Sequence, residues 1–426
     1  MPDTVLRAGF DAALFERLMA KVSEFGATPM GGVDRMALTD DHKAARDWFC
    51  SEMKARGYDV LVDAIGNVFG RIDLAGGNAR TVMVGSHLDS QPLGGRFDGA
   101  YGVIAALTAV ESYRAECEAT GTEPQCNFVI ADWMNEEGAR FQPSLLGSSV
   151  FAEMLELDFA LARTDREGRS VGDELKRIGY DGTDKVGIPD VYLEFHIEGD
   201  DKMEKSGARI APFRRHWGAL KVKIEVTGQQ NHTGPTPMED RRDAVLGAAY
   251  IIAEVRRLAD TAPDTLFTSV ARVDISPNSP NIVPGKAVLF AELRAPEPTT
   301  LDWAETGLKD ALPGLAAKAS VEAGIVSIDR RPAGKFDPRL IQLAEEQADG
   351  FALKRMDLDT IGGHDAIPVL TRCPAIVVAV PSVGGVIHRH DEYTSPEDLA
   401  AGGDVLLGMI RRIDAAAGDL DKAVEA

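Results

Sequence analysis

The chain is poor in cysteine: Cys50, Cys117, Cys126 and Cys373 are its four, and no two share a CxxC spacing. This excludes a disulfide framework and a thiolate zinc site, and fits free, buried thiols in a reducing compartment. Basic residues are in deficit, 46 Lys and Arg against 67 Asp and Glu, for a formal charge of −21. Nucleic acid and anionic membranes require basic patches, so neither is expected as a partner. A small anionic substrate stays compatible, because a local arginine or metal ion overrides a distant acidic surface. Long apolar runs are missing: stretches such as 375–381 fall far short of the ~20 residues that span a bilayer. Residues 1–15 mix charge into an amphipathic pattern without an uninterrupted apolar core, so no secretory signal is expected and a cytoplasmic location is. No internal repeat or low-complexity tract stands out.

What remains is an ordinary globular composition, 44% apolar and 27% charged. At 426 residues the chain exceeds the usual size of one core, so two domains are the default. The first half alternates helix and strand signals. A helix capped by Asp40 or Asp41 runs through Lys54, extended chain follows around a Gly66-Asn67 turn, and Thr81–Gly85 and Asn127–Trp133 read as strands flanking an apolar helix from Gly99 to Tyr113. That alternation predicts an α/β domain with a mostly parallel sheet. Near His216 the texture changes to strands with one wet face. The order β-α-β-β-α-β over 215–330 predicts an inserted α+β, ferredoxin-like lid. Residues 1–214 and 331–426 would form the two parts of the catalytic domain, with hinges near Pro212–Arg215 and Arg331–Gly334. A helix from Pro396 to about Ala415 precedes an alanine-rich tail expected to fray.

Only eight histidines exist, and three follow apolar strands: His87, His196 and, after a Gly-Gly loop, His388. Ligands at the carboxyl ends of neighbouring parallel strands converge on one crevice. In His87-Leu88-Asp89, the aspartate is placed to accept the proton of the ring nitrogen that does not bind metal. Asp98, past the glycine-rich turn 94–97, can fold back toward His87 and bridge two ions ~3.5–4 Å apart. Glu136-Glu137 follows the strand through Ala131. On an extended backbone its side chains diverge, one to a metal and the other toward substrate as general base. Taken singly, each fragment has a bland counterpart: a hydrogen-bonded strand-end histidine, or a solvated acidic pair. Their conjunction points to a two-metal hydrolase.

These blocks resemble the metal-dependent amidohydrolases within the M20 peptidase family. The similar branch contains N-carbamoyl-L-amino-acid hydrolases, β-ureidopropionases and allantoate amidohydrolases. The resemblance rests on Gly85–Ser90, Gly94–Gly99, Glu136–Phe141, Glu194–Glu198, His232–Met238 and Gly363–Ala366. With Asp63–Asn67 it spans nearly the whole chain. It implies one divalent ion held by His87, Asp98 and His196 and a second by Asp98, Glu137 and His388. Zinc is the first expectation, and manganese, cobalt or nickel also suit these donors. It further implies Glu136 as base, His232 of the partner subunit reaching the site from a lid that forms a homodimer, Arg294 holding a substrate carboxylate with help from Asn281, and His364 near the substrate.

Two departures stand out. The family's Gln-Gly after Glu198 is here Gly199-Asp200, and the serine before the last histidine is Ile387. His390 is an alternative to His388, although alignment on Glu392 favours His388. The reaction implied is hydrolysis of an N-carbamoyl amino acid to amino acid, carbon dioxide and ammonia. The alternatives are an aminoacylase or dipeptidase on the same scaffold, and a metal- or ligand-binding protein without catalysis.

Overall fold

The computed structural model describes residues 9–425; part of the amphipathic stretch 1–15 therefore lies outside the described residues. Two compact units emerge. One runs up to Arg214 and takes in Phe336–Leu358 and the chain from Gly362; the other comprises Arg215–Lys335 and Asp359–Ile361. The short return at 359–361 leaves no trace in the sequence pattern.

The larger unit is mixed α/β with a mostly parallel central sheet. Its strands are β1 (Asp59–Val62), β2 (Val68–Ile72), β3 (Thr81–His87), β4 (Asn127–Trp133) and β5 (Val191–Ile197), joined by Ala375–Val380. The order is β1-β2-β4-β3-β5 and then Ala375–Val380. β4, β3, β5 and Ala375–Val380 run parallel, while the β1-β2 hairpin adds antiparallel on one side and Ala211–His216 pairs antiparallel with Ala375–Val380 on the other. β4, β5 and Ala375–Val380 are buried along their whole length. Such Val/Ile-rich strands need helices on both faces, which explains their unbroken apolar texture. The helix Ala100–Thr120 buries fourteen of its residues, all from Ala100 to Val110 among them. That is how a helix apolar on every side is accommodated.

Local chemistry moves several expected boundaries. The helix Asp40–Ala55 is capped by Thr39, whose hydroxyl accepts from the His42 amide, so Asp40 and Asp41 lie in its first turn rather than at the cap. The helix expected to end at Tyr113 continues to Thr120 and stops at Gly121 in the left-handed region. The tail does not simply fray: Leu420–Glu425 forms a further short helix with Leu420 and Ala423 buried. The helix Pro396–Ala415 has Ser395 as its cap and proline at its start. All four cysteines are free and buried. No helix among the described residues is long and apolar enough to cross a membrane.

The smaller unit is built on a four-stranded antiparallel sheet. Gly218–Thr227 lies between Glu322–Arg331 and Lys286–Ala295, and Phe267–Ser276 pairs outside the last. The helices Ala244–Thr261 and Pro298–Lys318 pack on one face and share its apolar core. This is the split βαβ order, with the first and third strands at the centre.

Candidate metal centre

The carboxyl ends of β3, β4 and β5 open onto one cluster of imidazoles and carboxylates. His87 is the last residue of β3, and His196 is next to last in β5. His87 Nδ1 lies 2.9 Å from the carbonyl oxygen of Asp89, and His196 Nδ1 lies 2.9 Å from that of Ile197. A carbonyl only accepts, so Nδ1 carries a proton in both rings and Nε2 is the nitrogen turned toward the cluster. The expected pairing of His87 with Asp89 is thus made by the backbone. Asp89 Oδ1 stands 3.7 Å from Nδ1 and instead accepts from the Glu136 amide, while its Oδ2 accepts from the Glu137 amide.

Asp98 sits at the centre. Its Oδ1 is 3.1 Å from His196 Nε2 and 3.8 Å from His87 Nε2, and its Oδ2 is 3.1 Å from His388 Nε2. His388 Nε2 is also 3.2 Å from Glu137 Oε2. Two groups that could each hold an ion therefore share one carboxylate: His87, Asp98 and His196 on one side, Asp98, Glu137 and His388 on the other. His388, and not His390, belongs to the second of these groups. Gly99 makes the approach possible: it enters the helix at φ 65°, and a Cβ there would lie 2.4 Å from the His87 ring.

Glu136 and Glu137 do not continue the strand. Asn135 has φ 56° and the pair lies in a turn beyond β4, so the divergence of the two carboxylates comes from the turn rather than from an extended pleat. Glu136 Oε2 points to His87 Nε2 at 3.5 Å. Glu137 turns toward His388 and accepts from the Gln91 amide and side chain.

The electrostatics are those of an anionic pocket. Burial and then the charges of Asp365, Glu137, Asp89 and Asp98 hold the Glu136 carboxyl well above its usual range. Burial works against the charge of Asp98 as well, but the bonds to His196 and His388 outweigh it and keep that carboxyl well below. His196 is pushed up to about 9: burial opposes this, and Asp98 drives it.

These residues fit a pair of divalent cations. His87 Nε2 is buried and hydrogen-bonds to nothing among the described residues, while it faces carboxylates. A cation placed between them would satisfy the nitrogen and the carboxylates together. The potential that holds protons on the imidazoles is the one that would hold metal ions in their place. Nitrogen and oxygen donors without thiolate suit zinc or manganese.

His364 is brought to the same cluster, its ring 4.6 Å from that of His196 in an edge-on arrangement. The remaining expected site residues lie in the smaller unit. His232 is exposed and pairs with Ile282 in a two-residue ladder, and Thr233 donates to the carbonyl of Asn281. Asn281 has φ 70°, the left-handed conformation that asparagine tolerates. Arg294 is engaged by Glu292 at 2.8 Å and by the carbonyl of Ile361. Of the two departures, Gly199 faces Ile387, whose side chain would lie 3.5 Å from a Cβ at 199.

Several supporting residues escaped the sequence reading. Glu194 accepts from the Ser86 hydroxyl and the Ala366 amide; standing two before His196 in a strand, it was detectable as sharing that ligand's face. Asp132 pairs with Arg46 at 2.8 Å, both side chains fully buried, and accepts from the Leu88 amide. Arg35 donates to the carbonyl of the same Leu88. No local motif announces these contacts.

A model of peptidase family M20/M25/M40 matches residues 83–412, and the chain belongs to this family of metal-dependent hydrolases. It is 39% identical to a protein of Mycolicibacterium smegmatis named only as a hydrolase, over 92% of this chain and 91% of the other. It is 35% identical to an N-carbamoyl-L-amino-acid amidohydrolase of Rhizobium meliloti, over 93% and 95% respectively. A crystal structure of an amidase of the hydantoinase/carbamoylase family from Burkholderia vietnamiensis superposes with a TM-score of 0.92 at 35% identity, covering 97% of this chain and 99% of that one. Within the family the chain stands with the amidohydrolases that act on carbon–nitrogen bonds of linear amides.

Proposed function

We propose that the protein hydrolyses N-carbamoyl amino acids, with one water consumed and amino acid, carbon dioxide and ammonia released. The observation that carries this reading is the division of Asp98, one oxygen toward His196 and the other toward His388, with Glu136 alongside at a raised pKa. The relatives supply the substrate class. Two divalent ions, zinc by preference, would polarise the ureido carbonyl and lower the pKa of a water toward about 7.

The chain's own residues do the rest. Glu136 takes the proton from the attacking water and delivers it to the leaving nitrogen, a role suited to a carboxyl whose pKa is raised. Asp89 holds the Glu136-Glu137 turn by its amides. Arg294 presents a planar guanidinium to the substrate carboxylate, with Asn281 beside it. His232 of the partner subunit stabilises the developing oxyanion, which requires a homodimer through the smaller unit and closure of that unit as a lid. His364 contacts the substrate next to His196.

A second reading is favoured by one contact. Gly199 and Ile387, which depart from the glutamine and serine that the resemblance implies, lie next to one another, and the loss of those two polar side chains suits an N-acyl or peptide amide better than a second ureido nitrogen. The experiment is ammonia release from a panel of N-carbamoyl amino acids, after metal is stripped and zinc, manganese or cobalt is restored. Metal-dependent ammonia is expected. Silence on that panel with turnover of N-acyl amino acids or dipeptides would transfer the assignment to the second reading.

A further inference from the structure

We infer that Glu392 is a positioning residue that sets the bridging carboxylate of Asp98 against the loop carrying His388; the inference rests on the two-ion reading of the centre. Glu392 is 4% exposed. Its Oε1 accepts two backbone amides, from Phe97 at 2.8 Å and Asp98 at 3.1 Å. These belong to the turn that delivers Asp98, almost three hundred residues away in sequence.

The side chain is mounted where such a tie acts on both ligands. Pro381–Thr394 is a closed loop: the Val383 amide donates to Tyr393 O at 2.8 Å, and the Thr394 hydroxyl donates to Pro381 O at 2.9 Å. Glu392 stands at the neck of this loop and His388 within it, at φ 60°. A non-glycine residue in that conformation needs the surrounding structure to hold it. The opposite turn is shaped to receive the carboxylate. A Cβ at Gly95 would lie 2.0 to 2.2 Å from the Glu392 carboxyl atoms, so only glycine allows the approach.

The consequence is specific to one ion. Without the Glu392 oxygen, two buried amides beside Asp98 lose their acceptor, and the 381–394 loop loses its link to the turn. The pair most disturbed is Asp98 Oδ2 with His388 Nε2. The ion on the Glu137–His388 side should therefore weaken more than the ion between His87 and His196. Partners in the outer shell of metal sites cost about 10- to 100-fold in affinity when removed.

The test is a metal titration of stripped full-length protein, with binding stoichiometry by elemental analysis and folding checked by circular dichroism. Glu392→Ala should bind the first ion within about threefold of wild type and the second at least tenfold more weakly. Gly95→Ala should reproduce this by displacing the carboxylate. Glu392→Gln, which keeps an acceptor oxygen, should stay within about threefold for both ions. A residue that merely stabilised the fold would lower the melting temperature of the stripped protein and leave the affinities of the folded fraction unchanged. Glu392→Ala curves that superimpose on wild type, or a loss shared equally by both ions, would overturn the assignment. Wild-type protein that takes up no divalent ion would instead overturn the two-ion reading, and this inference with it.

Discussion

Glu136 is surrounded by four other carboxylates, and burial adds to their repulsion in favouring its neutral form. Its Oε2 lies 3.5 Å from His87 Nε2, at the edge of the ligand cluster. A ligand set alone has no need of such a carboxyl, whereas a proton shuttle does. Glu136→Gln keeps the size and one oxygen but cannot exchange a proton. It should bind both ions as wild type does and lose about 10²- to 10⁴-fold in kcat. Metal-replete variant protein with near wild-type kcat would remove the role. At this scale the sequence was informative wherever a clustered residue followed its own strand, as with His87 and His196. It was silent wherever a side chain serves a distant backbone group. Glu392 reaches Phe97 and Arg35 reaches Leu88, and hydrogen bonds to peptide groups impose no residue pattern on the partner segment.

Elements, rather than single side chains, hold the exit of β3. The Leu88 amide donates to Asp132 at the end of β4, and its carbonyl accepts from Arg35. Asp132 is in turn paired with Arg46 of the helix Asp40–Ala55. Burial raises the Asp132 carboxyl above its usual range, and the charge of Arg46 opposes that rise. Removing one partner of such a pair strands the other charge in the core. Asp132→Ala should therefore cost about 3–5 kcal/mol in urea unfolding, well beyond the loss of one neutral hydrogen bond. A loss below about 1 kcal/mol would show that Arg46 finds another acceptor. The helices and strands themselves were largely legible, because caps and periodicity are local. The helix expected from Pro396 to about Ala415 has those bounds in the structure. The turn at Asn135 was not legible: two adjacent glutamates after an apolar strand read equally well as its continuation, and only the packing of that turn against Asp89 decides.

Considered whole, the molecule carries a formal charge of −21 and concentrates part of it where water cannot screen it. Asp89, Asp98, Glu136, Glu194 and Asp365 are all buried in the unit that holds the centre. The burial that raises Asp89 to about 6 and holds Asp365 well above the carboxylate range destabilises the charged forms. Cations bound by the folded state alone relieve that repulsion, and the stability they add follows mass action. An ion at a hundred times its Kd contributes about 2.7 kcal/mol, provided the unfolded chain does not bind it. Stripped protein should consequently melt several degrees below protein restored with zinc or manganese, at about 2–4 °C per kcal/mol for a domain of roughly this size. Because the His196 imidazole, pushed up to about 9, holds a proton in the metal-free state, uptake near neutral pH should also release protons, measurable in weakly buffered solution. Both signals should saturate together at two ions per chain. A melting temperature indifferent to chelation, with no proton release on adding metal, would mean that the cluster answers its crowding by protonation alone and that two-ion hydrolysis is the wrong account of this site.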